Sequence, residues 1–240
     1  MRWPLPLSRS VAAVLVTLVS LHSHADGLVV DKVYHPYVDA LETEIEWRSV
    51  FQDEQRNFVN PAQVHKFSVG HSVGERNFVE LYLTGEKNRA SGFRTQAWEI
   101  EIKHQLTEQG EYAADWGLLV EYENALHSDM REFKLGLLTE REFGAWSGAA
   151  NLFLINEWGE DIDAEIETAL SLQARYRYRR EFEPALEFYA GQETLALGPV
   201  LQGDLSLGPR KTLHWESGVV FGLDNDSAGT TWRLLFEYEF

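Results

Sequence analysis

Between Leu41 and Phe51 the chain alternates at every residue: Leu41, Thr43, Ile45, Trp47, Ser49 and Phe51 fall on one side, and Glu42, Glu44, Glu46 and Arg48 on the other. A strand sends successive side chains to opposite faces, whereas a helix, with its period of about 3.6 residues, would scatter those charges round its axis and leave no apolar stripe. The spacing predicts a strand with one apolar and one charged face. The pattern returns along the chain. Trp98, Ile100, Ile102, His104 and Leu106 oppose Glu99, Glu101, Lys103 and Gln105, and Trp116, Leu118, Val120 and Tyr122 oppose Asp115, Leu119, Glu121 and Glu123. Thr168, Leu170, Leu172, Ala174, Tyr176 and Tyr178 oppose Glu167, Gln173, Arg175, Arg177 and Arg179. Leu213, Trp215, Ser217, Val219 and Phe221 oppose His214 and Glu216, and Trp232, Leu234, Phe236, Tyr238 and Phe240 oppose Arg233, Glu237 and Glu239.

Weaker alternation at 63–71, 78–85, 131–139, 146–156, 185–192 and 200–207 fills the gaps, for about 12 strands within a range of 10 to 14. Pro36, Pro61, Pro184, Pro199 and Pro209 all fall outside these strand interiors, where proline would remove a ladder donor. Short polar turns with a neighbouring ring recur once per hairpin, at 74–78, 108–112, 140–144, 180–184 and 208–211. The alternate connections, at 52–62, 85–92, 124–129, 156–165 and 224–230, are looser and more acidic.

Composition then changes the picture. The 240 residues carry 38 Asp and Glu against 21 Lys and Arg, a net charge of -17, yet also 8 Trp, 9 Tyr and 13 Phe. An acidic chain repels phosphates, so nucleic acid is not an expected partner. Arg2 and Arg9, the apolar run Val11 to Leu21, and Ser23-His24-Ala25 have the layout of a secretory signal peptide at 1–25, and the apolar run falls short of the ~20 residues of a spanning helix. Residues 26–40 are then expected as a short periplasmic segment, too small to plug a barrel, and 41–240 as one all-β domain. The chain has no cysteine, so neither a disulfide nor a lipid-attachment thiol is available.

A soluble sandwich or a secreted all-β binding protein would also alternate, with its apolar face inward. About twelve strands are too many for a standard sandwich, and rings gathered at strand ends are the mark of membrane-interface girdles. Phe236-Glu237-Tyr238-Glu239-Phe240, with aromatics at the last, third-last and fifth-last positions, resembles the C-terminal strand signature of Gram-negative outer-membrane β-barrel proteins. Tyr34-His35-Pro36-Tyr37-Val38 and Thr107-Glu108-Gln109-Gly110-Glu111-Tyr112 resemble an uncharacterised proteobacterial family of such barrels. The resemblance implies a single antiparallel up-and-down transmembrane barrel in the bacterial outer membrane, with lipids on its outside. It also implies that Phe236, Tyr238 and Phe240 form a signal for the barrel-assembly machinery, and it implies no cofactor and no activity.

A Lys or Arg facing lipid at the bilayer midplane costs about 2–4 kcal/mol, which turns the charged faces toward the lumen. The expected lining is Glu42, Glu44, Glu46, Arg48, Glu99, Glu101, Lys103, Glu121, Glu123, Arg175, Arg177, Arg179, His214, Glu216, Arg233, Glu237 and Glu239. Acids outnumber bases there, and Arg175, Arg177 and Arg179 make the only basic strip. Such a lumen is either a closed, charge-networked structural barrel or a narrow path for small cations or polar solutes. A lipid-modifying enzyme is the alternative. For it, His104 on the apolar face is the one base in place, but no serine is tied to it, and no catalytic residue is assigned. His65, His71 and His214, read as lying on three separate strands, show no ligand spacing, and Glu160-Asp161-Ile162-Asp163 lacks the glycine and spacing of a calcium loop, so no metal site is assigned.

Overall fold

A computed structural model of the chain describes residues 29–52, 63–87, 92–160 and 164–240. Twelve strands follow one another: β1 (Thr43–Gln52), β2 (Gln63–Val73), β3 (Asn77–Lys87), β4 (Arg94–Gln105), β5 (Asp115–Ala125), β6 (Arg131–Phe143), β7 (Trp146–Trp158), β8 (Glu165–Tyr176), β9 (Glu183–Ala190), β10 (Leu195–Gly208), β11 (Lys211–Gly222) and β12 (Thr230–Glu239). Each pairs antiparallel with its neighbours in sequence, and β1 closes on β12 in the register Glu44 with Glu239 through Gln52 with Thr231. Closure satisfies the backbone groups that an open sheet would leave on its edges. The signal-like residues 1–25 and Asp161–Asp163 of the acidic loop lie outside the described residues.

The alternation is inverted relative to a soluble barrel. Glu80 is 2 % exposed while its neighbour Leu81 is 58 % exposed, and Glu46 is 0 % exposed beside Trp47 at 38 %. Water would pull these charges outward, so this arrangement suits a barrel surrounded by lipid. Rings gather near both rims. At one end Trp98, Tyr122 and Trp158 form a chain with centroids 5.7 and 6.4 Å apart; at the other, Trp146 meets Tyr176 at 5.0 Å and Tyr238 stacks on Phe240 at 5.4 Å.

The short connections lie at the second of these ends, the turn end. Gly144, between β6 and β7, has φ +65°, a left-handed conformation in which a side chain is disfavoured. The loop end carries the longer connections. Two expectations are corrected. Two prolines expected outside the strands lie within them: Pro184 is the second residue of β9, paired with Leu201, and further in along β10 lies Pro199. It pairs with Leu186 of β9, while the β10–β11 register skips Gly198 and Pro199, so the missing N–H is accommodated by a gap in one ladder. β8 ends at Tyr176 because its partner β7 begins at Trp146, so Arg177 and Arg179 lie beyond the barrel wall.

The largest departure concerns the residues before β1. Residues 29–39 do not hang outside the barrel; they run through it as a segment without ladder pairing, bent at Val30 and Pro36. Val30 and Val33 pack with Ala196 and Val220, which lie toward the loop ends of β10 and β11. Tyr34 packs with Leu119, Leu138, Phe153 and Ile155, and Val38 and Asp39 reach Gln105 and Ser72 at the turn end. The expectation that so few residues cannot plug a barrel presumed a folded plug. An extended chain advances about 3.3 Å per residue, so eleven residues match the length of the wall strands.

Candidate functional site

The site is the occupied lumen, built from wall side chains and the threaded segment together. The segment has no ladder partner, so its backbone groups must find side chains. Tyr34 N–H donates to Asn151 Oδ1 at 2.7 Å, and Asn151 Nδ2 donates to the Tyr34 carbonyl at 2.9 Å. Val38 N–H donates to Gln105 Oε1 at 2.8 Å, Ser72 Oγ donates to the Asp39 carbonyl at 2.5 Å, and Arg233 Nη1 donates to the Asp31 carbonyl. Gly117 lets the segment pass, since a Cβ there would stand 3.0 Å from Pro36.

Side chains of the segment complete the anchoring. Asp31 pairs with Arg48 at 2.6 Å and Lys32 with Glu46 at 2.7 Å, and the Tyr34 hydroxyl donates to Glu101 at 2.8 Å. His35 sits 2.7 Å from Glu140, and the Tyr37 hydroxyl donates to Asp115 at 2.9 Å. Below Asp31, Arg233 is fully buried between Glu187 at 2.9 Å and Glu216 at 2.6 Å; His214 bridges Glu216 at 3.2 Å and Asp204 at 2.7 Å. Lys66 pairs with Glu99 at 2.9 Å, and Lys134 with Glu121 at 2.7 Å and Glu132 at 3.2 Å. Buried pairs of this kind hold a fixed geometry but leave a costly lone charge when one partner is removed.

The expected lining residues fall into three groups. Glu46, Arg48, Glu99, Glu101, Glu121, Glu216 and Arg233 form the buried network around the segment, with Arg175 paired to Glu140 at 3.2 Å. Glu42, Glu44 and Glu237 converge at the turn end, while Glu239 registers against Glu44 and Lys103 lies over the Phe78 ring. Burial, partly offset by Lys103 and reinforced by Glu237, pushes the Glu42 carboxyl up to about 7. Glu123 faces a cavity at the loop end. The expected basic strip is corrected: only Arg175 is in the wall, whereas Arg177 pairs with exposed Glu142 at 2.5 Å and caps Gly144, and Arg179 bridges to Phe182 in the β8–β9 turn.

Two triads of carboxylates, Glu42–Glu44–Glu237 and Glu99–Glu101–Glu121, bring ligand atoms within 4.8 Å of one another. Sequence spacing did not show them because each is assembled across neighbouring strands. His65 and His71 both lie on β2, not on separate strands, and His214 is on β11. His104 Nδ1 meets Asn77 at 2.7 Å, and the fully buried Ser49 hydroxyl lies 2.5 Å from His65 Nδ1.

Sequence reasoning missed Asn151, Tyr34, Leu119, Leu138, Phe153 and Ile155. The signal was present as lapses in alternation: Leu118-Leu119-Val120, Leu137-Leu138 and Leu152-Phe153-Leu154-Ile155 put apolar side chains on both faces. An apolar patch in a polar lumen calls for an apolar cover, and Tyr34 supplies it, 6.1 Å edge-on to Phe153.

A second feature lies above the segment. A cavity of about 510 Å³ extends from Asp31, Lys32 and Tyr34 to connection residues Ser128, Thr194 and Ala228 at the loop end.

Closed wall, inverted faces and charged lumen define the fold class of transmembrane β-barrels. Among solved structures, the chain resembles an outer membrane channel from Pseudomonas putida F1, with TM-score 0.58 and 12% identity over 88% of this chain and 98% of that one. It also resembles the KdgM porin, solved in complex with disordered oligogalacturonate, with TM-score 0.53 and 12% identity over 82% of this chain and 99% of that one. The NanC porin matches with TM-score 0.52 and 9% identity over 82% and 98% of the two chains. No family model and no curated protein matches the sequence.

Proposed function

We propose that the protein is a bacterial outer-membrane channel for small cations or polar solutes whose path is kept shut by its own N-terminal segment. The observation that carries this reading is the segment at residues 29–39, which occupies the lumen yet is fixed by separate side-chain contacts instead of a continuous ladder. Side chains alone fill a barrel of about eight strands, whereas a closed wall of twelve strands leaves room along its axis, and it is this room that the segment occupies. The acid excess supports cations as the passengers, since confined carboxylates concentrate positive ions. The likeness to channel structures, the two aromatic girdles and the signal-like 1–25 support the outer membrane as the location. In this orientation the turn end faces the periplasm and the acidic loops face outward. Phe236, Tyr238 and Phe240, with Phe236 stacked 5.9 Å from Trp47, are the strand signal read by the barrel-assembly machinery.

Planar-bilayer recording tests the proposal on the refolded mature chain and on a variant lacking residues 26–40. The full chain is expected to be mostly silent. The shortened chain is expected to give unitary steps with a reversal potential that favours the cation in a salt gradient. A shortened barrel that is folded, by its shifted mobility on unheated gels, and still silent would make this a closed structural barrel.

A further inference from the structure

The chain has a net charge of -17, yet every acid of β1 to β4 turns inward: Glu44, Glu46, Glu80, Glu99 and Glu101 are buried, and Glu86 lines the loop-end cavity. The outward face of these strands carries histidines instead. Ionisable side chains that face lipid are rare. His71 and His104, near the turn end, have polar partners in Thr43 at 2.9 Å and Asn77 at 2.7 Å. His65, the third residue of β2 from the loop end, sits in a different setting. The Ser49 hydroxyl lies 2.5 Å from its Nδ1, and three rings pack round it, Trp47 nearly parallel at 6.0 Å and Phe51 and Phe93 each edge-on at 5.6 Å. No other hydrogen bond to the imidazole occurs among the described residues, which leaves Nε2 for a ligand.

Beside this imidazole the outer wall is grooved. Trp47, Phe67, Leu83 and Phe93 stand round a cavity of about 340 Å³ that His65 and Gly85 also line. Gly85 makes the shape possible: a Cβ there would collide with the Phe93 ring, which folds over the outer wall from just before β4. The groove also has a direction. His65 pairs with Ser49 and with Gly85, and the next outward row toward the middle of the wall is Trp47, Phe67 and Leu83. In the opposite direction Lys87, two residues from Gly85 on the same face of β3, is exposed at the loop-end rim.

In lipid the rings need no partner, but the imidazole does, because a polar atom facing hydrocarbon without a hydrogen bond is costly. A cationic rim, one hydrogen-bonding nitrogen below it and an apolar descent match an amphiphile with an anionic head. A carboxyl group suits His65 in either tautomer: the carboxylate accepts from Nε2–H, and the carboxylic acid donates to a bare Nε2. The volume lies at the low end of the range of small-molecule pockets, which favours a single alkyl chain over the paired chains of a phospholipid. We infer that this outward groove binds long-chain fatty acids, the carboxyl group meeting His65 Nε2 beneath Lys87 and the chain lying against Trp47, Phe67 and Leu83. The site goes beyond the channel reading, since it lies outside the wall and needs the lipid surround but no conduction.

Photolabelling tests the site. The refolded mature chain in phosphatidylcholine vesicles is exposed to palmitic acid carrying a diazirine on its chain, and the labelled residues are mapped by mass spectrometry. Label is expected to concentrate on Trp47, Phe67, Leu83 and Phe93. His65→Phe keeps a ring for Trp47 to stack on and is expected to lower that labelling roughly tenfold, the scale of one lost charge-assisted hydrogen bond. Lys87→Gln is expected to lower it less, and His71→Phe, at the turn end, to leave it unchanged. Mobility on unheated gels shows that each variant is folded. The methyl ester of the probe is expected to label the outer wall without preference. The inference is overturned if the acid labels the twelve strands evenly, as a surrounding lipid does, if the ester concentrates in the groove as the acid does, or if His65→Phe is labelled like the parent. A barrel that conducts without gathering the acid defeats this site alone, and one that gathers it but never conducts defeats the channel reading alone.

Discussion

Asn151 grips the backbone of Tyr34 from both sides, accepting from its N–H at 2.7 Å and donating to its carbonyl at 2.9 Å. One side chain thus does for the threaded segment what a neighbouring strand does in a sheet. The two residues are 117 positions apart, and Asn151 is fully buried.

Asn151→Ala is expected to release the middle of the segment. It strands two buried backbone groups, each costing about 1–3 kcal/mol when unsatisfied. In planar bilayers the variant should open far more often than the parent, while Asn151→Asp, which keeps the acceptor, should fall between. Identical open times for all three would show that this clamp does not hold the segment.

Arg233 is the most heavily committed cation in the lumen, set between Glu187 and Glu216 with no exposure. Arg233→Met leaves two carboxylates facing each other and should cost about 3–5 kcal/mol. Urea unfolding in lipid vesicles measures this. Adding Glu187→Gln and Glu216→Gln to the variant should restore much of the loss, because the penalty arises from stranded charge and not from volume.

Glu42, just before β1 at the turn end, supplies a pH dependence. Its carboxyl is raised from 4.5 to about 7. The folded barrel therefore holds this proton more tightly than the unfolded chain, so the contribution is full below the unfolded value and is lost as the pH climbs from 4.5 toward 7. Unfolding midpoints should fall over that window and then level off, and Glu42→Gln should flatten the slope. Cation selectivity should rise over the same range as the mouth gains a charge.

The outward face offers a test of the lipid surround. Leu135, near the middle of β6, is 42 % exposed. In water, replacing it with Arg would change stability by about 0.5 kcal/mol or less. Facing the bilayer midplane, Leu135→Arg should cost about 2–4 kcal/mol in vesicle unfolding. A null effect in lipid would argue for a soluble barrel.

Much of the wall was legible because alternation is a local property. Glu44, Glu46, Glu99 and Glu101 are turned inward by the same pleat that turns Ile45, Trp47 and Ile100 outward, and no distant contact is needed to know it. Strand ends were less legible. Pro199 was read as a boundary, but β9 pairs with it from one side and a gap in the other ladder absorbs its missing donor. The Arg175, Arg177, Arg179 strip looked continuous in sequence, yet β7 starts too late to carry β8 past Tyr176.

The sequence by itself determined the all-β class, the direction of the faces and the acidity of the lumen, and brought the strand count to about twelve, because period-two patterning and the cost of charge in lipid act residue by residue. Only the tertiary structure decided what fills that lumen. Val30, Val33 and Tyr34 resemble any short polar-apolar leader until the wall closes and opposes Leu119, Leu138 and Phe153 to them. The physical reason is the length of the connection: backbone groups 29–39 find their partners on Gln105, Asn151 and Arg233, which lie far along the chain and come together only when β12 meets β1.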